Sequence, residues 1–268
     1  MRHSLKARFS LAAAAMYLPV HFAAGQPVAY DGFNYSVGSP VTGLSGGNGW
    51  ASAWANPSGQ PGNPYITASS LPSSYPGSSG NRMSTDGLNT TVQRSLQQPF
   101  TQVGNVMFAS VLLRPVGMVG TGAQSYGGFS LLGAGTSPWG FFAGKEDSTD
   151  LYSISDSQTD AGTVYTNVQA IAGQTVLLLV KFENLLGPDR VSLWVNPDMS
   201  LGTPPPLAVK MNSDLGGVTG ILLHAGSTWE MDEVRVGLDF CSVVPSPAVS
   251  SLAILGFLAI DQRRRRRK

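Results

Sequence analysis

An all-β sandwich with a topogenic segment at each end is the architecture that this 268-residue sequence predicts. Three observations lead to it. Nowhere between residues 27 and 244 do apolar residues recur at a sustained spacing of three and four, the mark of an amphipathic helix. Short runs rich in β-branched, aliphatic and aromatic residues recur instead, each closed by Gly, Pro, Asn or Asp. Finally, 32 Gly and 18 Pro furnish many turns while only 12% of the residues are charged, about half the ~25% usual in soluble domains. A chain so poor in charge and 42% hydrophobic packs a core rather than remaining a disordered polyelectrolyte.

In chain order, the predicted strands cover residues 28–35, 103–114, 128–132, 139–143, 151–155, 163–170, 175–183, 191–195, 207–211, 220–224 and 230–236. Residues 175–182 are almost continuously apolar, as in a central strand covered on both faces. Val191-Ser192-Leu193-Trp194-Val195 alternates in part, as in a strand with one wet face. Gly187-Pro188-Asp189 supplies the turn between these two runs, which makes them the clearest hairpin in the chain. Residues 56–82, punctuated by Pro57, Pro61, Pro64, Pro72 and Pro76, read as one long loop whose aromatics are Tyr65 and Tyr75. No internal repeat or compositional break divides the body, so one domain over residues 26–243 is expected.

Charge is distributed unevenly. The formal net charge is +1, yet Arg2, Lys6 and Arg8 precede any acid and residues 263–268 are all basic. Residues 26–260 carry eight basic and fifteen acidic side chains, a net −7, which excludes the whole-domain basicity of a nucleic-acid binder. At the N-terminus the basic stretch, an apolar run over residues 9–20 and the triplet Ala23-Ala24-Gly25 describe a secretory signal peptide over residues 1–25, cut near Gly25 by signal peptidase. A single cysteine, Cys241, leaves the exported body without an internal disulfide. A domain of this size buries enough surface to dispense with one. At the C-terminus Pro245-Ser246-Pro247 precedes an apolar run over residues 249–260, expected to form a short helix that enters the membrane transiently. Arg263, Arg264, Arg265, Arg266 and Arg267 follow and stay on the cytoplasmic side.

Residues 244–268 resemble the PEP-CTERM sorting tail of bacterial envelope proteins, with Ser246 where that family carries Glu. The resemblance implies an exosortase as partner and a protein that is exported to the cell envelope, the cell surface or the extracellular space. Within the body, Tyr30-Asp31-Gly32-Phe33-Asn34-Tyr35, residues 43–54, Val191-Ser192-Leu193-Trp194-Val195-Asn196-Pro197 and Met231-Asp232-Glu233-Val234-Arg235-Val236-Gly237 resemble the concanavalin A-like (laminin-G-type) jelly rolls that often precede this tail. The implied fold is a single jelly-roll β-sandwich. The implied chemistry stays open, because such folds host lectins, carbohydrate-binding modules, hydrolases and structural domains.

Few residues offer catalytic chemistry. His224 is the one histidine downstream of the signal peptide, and it follows Ile221-Leu222-Leu223 as a strand residue, so a Ser-His-Asp triad or a His-rich metal site is not expected. Glycoside hydrolysis needs two converging carboxylates. Trp229-Glu230-Met231-Asp232-Glu233 comes nearest, but strand alternation puts Glu230 and Asp232 on one face and Glu233 on the other. Jelly rolls of the resembled type often join their first and last strands through calcium, which implies Asp31 and Asp232 as ligands of a structural Ca²⁺; no other cofactor is implied. Glu146, Asp147 and Asp150 lack an EF-hand pattern and read as a solvated loop. Sugar binding would use aromatic platforms, for which Trp50, Trp54, Tyr65 and Trp139 are the candidates, with Trp194 and Trp229 expected inside. The expected function is a non-catalytic surface or matrix protein with an extracellular polysaccharide as partner. An extracellular glycoside hydrolase or lyase and a purely structural component are the alternatives.

Overall fold

A computed structural model describes residues 25–245 other than 58, 76–77, 118, 135–139, 157–161 and 201. Its strands form two antiparallel sheets packed face to face. The larger holds, from edge to edge, β12 (Ala208–Ser213), β11 (Asp189–Val195), β10 (Val176–Glu183), β5 (Val106–Pro115), β14 (Trp229–Gly237), β3 (Arg82–Ser84) and β2 (Tyr65–Thr67), with β1 (Ala29–Asp31) also paired to β14. The smaller runs β4 (Thr90–Phe100), β13 (Val218–Ala225), β6 (Gly127–Gly133), β7 (Phe141–Lys145), β8 (Leu151–Asp156) and β9 (Val164–Gln169). Consecutive strands β4 and β5 lie in different sheets, and so do β13 and β14. Because β13 pairs with β4 and β14 with β5, one two-stranded ribbon wraps across both sheets, which makes the sandwich a jelly roll. Alternate side chains fill the space between the sheets: Met107, Ala109, Val111 and Leu113 of β5 meet Ile221, Leu223 and Ala225 of β13, with Trp229, Met231, Val234 and Val236 of β14 beside them.

Three strands were not expected from sequence. β2 and β3 are three residues each, too short to show a period; β2 lies within residues 56–82, which are therefore not one uninterrupted loop, and β3 begins at its end. β4 is eleven residues long, but its inward row Val92, Arg94, Leu96 is broken by a buried arginine, so the alternation reads as polar. The β10–β11 hairpin forms in the expected place, with Phe182 opposite Val191 and Glu183 opposite Arg190, and Gly187 takes φ +101° in its turn. The wet face expected of β11 is absent: Ser192 and Trp194 are nearly buried. Trp194 Nε1 donates to Pro204 O at 2.8 Å, and the Trp194 ring meets Phe240 edge-on at 5.2 Å, so the segment around Pro204 and a C-terminal helix cover that face.

That helix, α1 (Phe240–Val243), lies between the last strand and Pro245. Asp239 caps it, Oδ1 accepting from Ser242 N at 2.8 Å. Phe240 and Val243 pack on Leu179 and Trp194, while Val244 packs between this cluster and the one formed by Leu71, Leu112 and Leu177. The Ser110 hydroxyl donates to Val243 O. A Cβ on Gly237 would come within 2.0 Å of Ser242 Oγ, so glycine permits the helix to lie this close. Gly25 sits against the same helix; a Cβ there would lie 2.8 Å from Asp239 Oδ2.

Candidate functional site

Asp31, at the end of β1, faces the space between the sheets. Its Oδ2 accepts from Arg94 Nη1 at 2.6 Å, Tyr35 Oη at 2.7 Å and Trp54 Nε1 at 2.9 Å, and its Oδ1 accepts from Phe33 N at 2.9 Å. Burial pushes this carboxyl up from its ordinary range, opposed by those hydrogen bonds and by the Arg94 charge. Gly47 and Gly49, both at φ +75°, let residues 47–50 lie against β1; Cβ atoms there would stand 2.2 Å from Tyr30 O and 1.9 Å from Val28 O. The segment then delivers Trp50 and Trp54 to the Arg94 guanidinium, 5.2 and 5.7 Å from the ring centres. Trp54 is 1% exposed, so its expected role as a sugar platform gives way to a structural one: its indole N–H is spent on a buried carboxylate. Trp50 is half-buried and donates to Tyr30 O at 3.0 Å.

Tyr65 is 37% exposed at the edge of the larger sheet, whereas Trp50 bridges to Leu96 of the smaller one. Trp50, Trp54 and Tyr65 thus form no common platform. Trp139 lies outside the described residues, as do the signal segment up to residue 24, Ser246, Pro247 and Arg263, Arg264, Arg265, Arg266 and Arg267. Pro245, the first residue of the expected sorting motif, is buried. Trp229 lies in the core between the sheets, as expected, and Trp194 is buried under α1 on the outward face.

The acidic segment of β14 departs from its expected geometry. Register shifts between Asp232 and Arg235, and Glu233 takes φ +54°, so the inserted residue resets the alternation. Glu233 consequently shares the outward face with Glu230 and Asp232. Each carboxylate is committed. Glu230 accepts from Arg82 Nε and Arg114 Nε, both at 2.6 Å. Glu233 pairs with Arg235 and accepts from Tyr30 Oη at 3.0 Å. Asp232 accepts from the Ser70 hydroxyl, from Leu71 N at 3.0 Å and from Glu233 N at 2.8 Å. Burial, with the Glu233 charge adding to it, pushes Asp232 up to about 7. Asp31 points between the sheets and Asp232 points outward, so the two do not share one calcium site. Among the described residues no group of three or more His, Cys, Asp or Glu side chains is placed to hold a metal ion.

On the outward face of the smaller sheet, His224 Nε2 lies 3.1 Å from Ser130 Oγ, and the His224 ring meets Phe142 edge-on at 4.7 Å. Burial lowers this imidazole to about 3, so it stays neutral and is a weak base at neutral pH. Cys241 is half-buried in α1. Lys145, which sequence did not single out, is fully buried and ties down the glycine-rich loop before β6: its ammonium donates to Gly120 O, to Ser125 Oγ at 2.9 Å and to Glu146 O at 2.9 Å.

A groove of about 470 Å³ runs along the outward face of β10 and β11, walled by α1 on one side and by Thr203, Pro204 and Pro206 on the other. Trp194 and Phe240 give it apolar lining and Lys181, Glu183 and Arg190 charged lining, with Phe108 opposite Lys181 across β5 and β10. Lys181 Nζ lies 2.8 Å from Glu183 Oε1, and Arg190 Nε lies 3.6 Å from Glu183 Oε2. Sequence reasoning missed these residues because 175–182 read as uniformly apolar. The signal was present as a period of two on both arms of the hairpin, Lys181-x-Glu183 and Arg190-x-Ser192-x-Trp194.

No protein-family model matches the chain, and no curated protein matches it in sequence. Among solved structures it is similar to an endo-β-1,4-glucuronan lyase from the fungus Trichoderma reesei, with a TM-score of 0.49 and 15% identity over 75% of this chain and 96% of that one. It is similar to an endo-1,3-β-glucanase from Streptomyces sioyaensis, with a TM-score of 0.42 and 13% identity over 82% of this chain and 98% of that one. A carbohydrate-binding module, CBM66 from Bacillus subtilis, matches with a TM-score of 0.40 and 13% identity over 59% of this chain and 86% of that one.

Proposed function

We propose that this chain is an exported, non-catalytic surface or matrix protein: a jelly-roll domain delivered by a signal peptide, sorted through its C-terminal tail by an exosortase, and able to bind extracellular carbohydrate. The observation that carries the reading is the position of Gly25 beside α1. Gly25 lies against Asp239 and Ser242, and α1 packs on the outward face of the larger sheet, so the chain enters the folded body beside the helix through which it leaves it. The non-catalytic part is supported by the carboxylates. Glu230, Asp232 and Glu233 are at most 6% exposed and occupied by arginines, hydroxyls or backbone amides, so the three carboxylates of β14 are not free to act as an acid–base pair.

Mass spectrometry of the mature protein from its native cells tests the sorting. The expected result is an N-terminus near residue 26 and loss of residues 263–268. Released protein that retains its arginine-rich end would refute exosortase processing.

A further inference from the structure

We infer that the groove between α1 and residues 203–206 is a binding site for a neutral saccharide, an inference that rests on the carbohydrate-binding reading above and gives it a location. The argument starts from register. Leu179 stands opposite Trp194, Lys181 opposite Ser192 and Glu183 opposite Arg190. Side chains two apart share a face, so the outward surface of this hairpin passes from an apolar end to a charged one. Four residues of β11 separate Trp194 from Arg190, roughly 13 Å of strand, longer than a single pyranose ring.

The chemistry of the two ends matches the two aspects of a sugar. A pyranose has an apolar C–H face and a rim of hydroxyls, each of which both donates and accepts. Phe108 with the edges of Trp194 and Phe240 offers the apolar contact. Lys181 and Arg190 are donors, and the Glu183 carboxylate accepts. Arg190 Nε is buried and has no hydrogen-bond partner among the described residues. The Arg190 side chain as a whole is 43% exposed, so its terminal N–H groups are the donors that a ligand hydroxyl can reach.

Charge selects among ligands. Lys181 and Arg190 are balanced by Glu183 and by Asp239 on the rim, so the groove has no net field to concentrate a polyanion. A carboxylated chain therefore gains no net attraction there, whereas a neutral polyhydroxyl ligand uses both the donors and the acceptor.

The test is affinity electrophoresis of the purified full chain in gels containing a β-1,3-glucan, hydroxyethylcellulose, a galactomannan or, as the acidic comparison, alginate. At least one neutral polymer is expected to retard the protein. Glu183→Gln and Arg190→Ala should each raise the apparent Kd at least about tenfold, as expected for loss of a charge-assisted hydrogen bond, with unchanged circular dichroism and melting temperature. Tyr165→Ala, on β9 of the smaller sheet, should bind as wild type. Retardation unaffected by Glu183→Gln and Arg190→Ala would overturn this site and leave the carbohydrate-binding reading standing. Retardation by alginate alone would overturn the neutral class. No retardation by any of the four polymers would overturn both the site and the reading on which it rests.

Discussion

Replacing Arg94 by Met probes the contact that joins the edge strand of the smaller sheet to β1 of the larger. Arg94 belongs to β4 of the smaller sheet and Asp31 to β1 of the larger; their side chains are each 2% exposed and meet at 2.6 Å. Methionine keeps the aliphatic stem and its contact with Trp50 and Trp54 but leaves the Asp31 carboxylate buried without a countercharge. Removing one partner of such a pair destabilises by about 3–5 kcal/mol. Tyr35, Trp54 and the Phe33 amide still donate to Asp31, so the low end, about 3 kcal/mol, is expected. Asp31→Asn should cost a similar amount by stranding the guanidinium, and the double variant should lose much less than the sum. The pH dependence has a definite sign. Without Arg94 the folded-state pKa of Asp31 rises further above its unfolded value of about 3.9, so the deficit of Arg94→Met is full at neutral pH and shrinks as the pH falls toward 4. Urea unfolding followed by tryptophan fluorescence at pH 7 and near pH 4 measures all of this. An Arg94→Met variant within about 1 kcal/mol of wild type at both pH values, with additive single and double variants, would refute the reasoning.

Further outcomes follow from the same geometry. Asp232, buried and raised to about 7, binds a proton in the folded protein where the unfolded chain has released it, so its contribution to stability falls as the pH rises from about 4 to about 7, by a term of order 4 kcal/mol. Thermal scans of wild type and Asp232→Asn across that range should show a flatter profile for the variant; identical slopes would exclude the assignment. Trp54→Ala should lose about 3–5 kcal/mol as a core truncation, and the protein that still folds should keep its polysaccharide binding, since the ring is not a platform. Lys145→Met should free residues 117–125, seen as faster amide exchange there, with a global loss of about 1–3 kcal/mol from the stranded acceptors. Excess chelator should leave the melting temperature unchanged, because Asp31 and Asp232 point to opposite sides of the sheet; a drop of several degrees would reinstate a stabilising ion.

Sequence was most informative where each residue acts on its own stretch of chain. The β10–β11 hairpin was legible because an apolar run, Gly187-Pro188-Asp189 and a partly alternating run each specify a local conformation. The charge and apolar length of the two basic ends are likewise properties of the chain itself. β4 was invisible for the opposite reason: Arg94 in its inward row is acceptable only because Asp31, 63 residues away, meets it. The same holds for the aromatics. Nothing local distinguishes a tryptophan whose indole N–H is used by a buried carboxylate from one left on the surface.

The sequence by itself determined the fold class, the turns and the acidic character of the body, because periodicity, turn chemistry and composition are encoded residue by residue. Tertiary structure alone decided which face each functional group occupies. A single bulge at Glu233 moved one carboxylate through the sheet, the folding of α1 over β11 turned a wet face into the wall of a groove, and the pairing of Glu183 with Arg190 and Lys181 set the charges that line it. Those outcomes depend on register and on contacts between distant segments, and neither is written in any one of them.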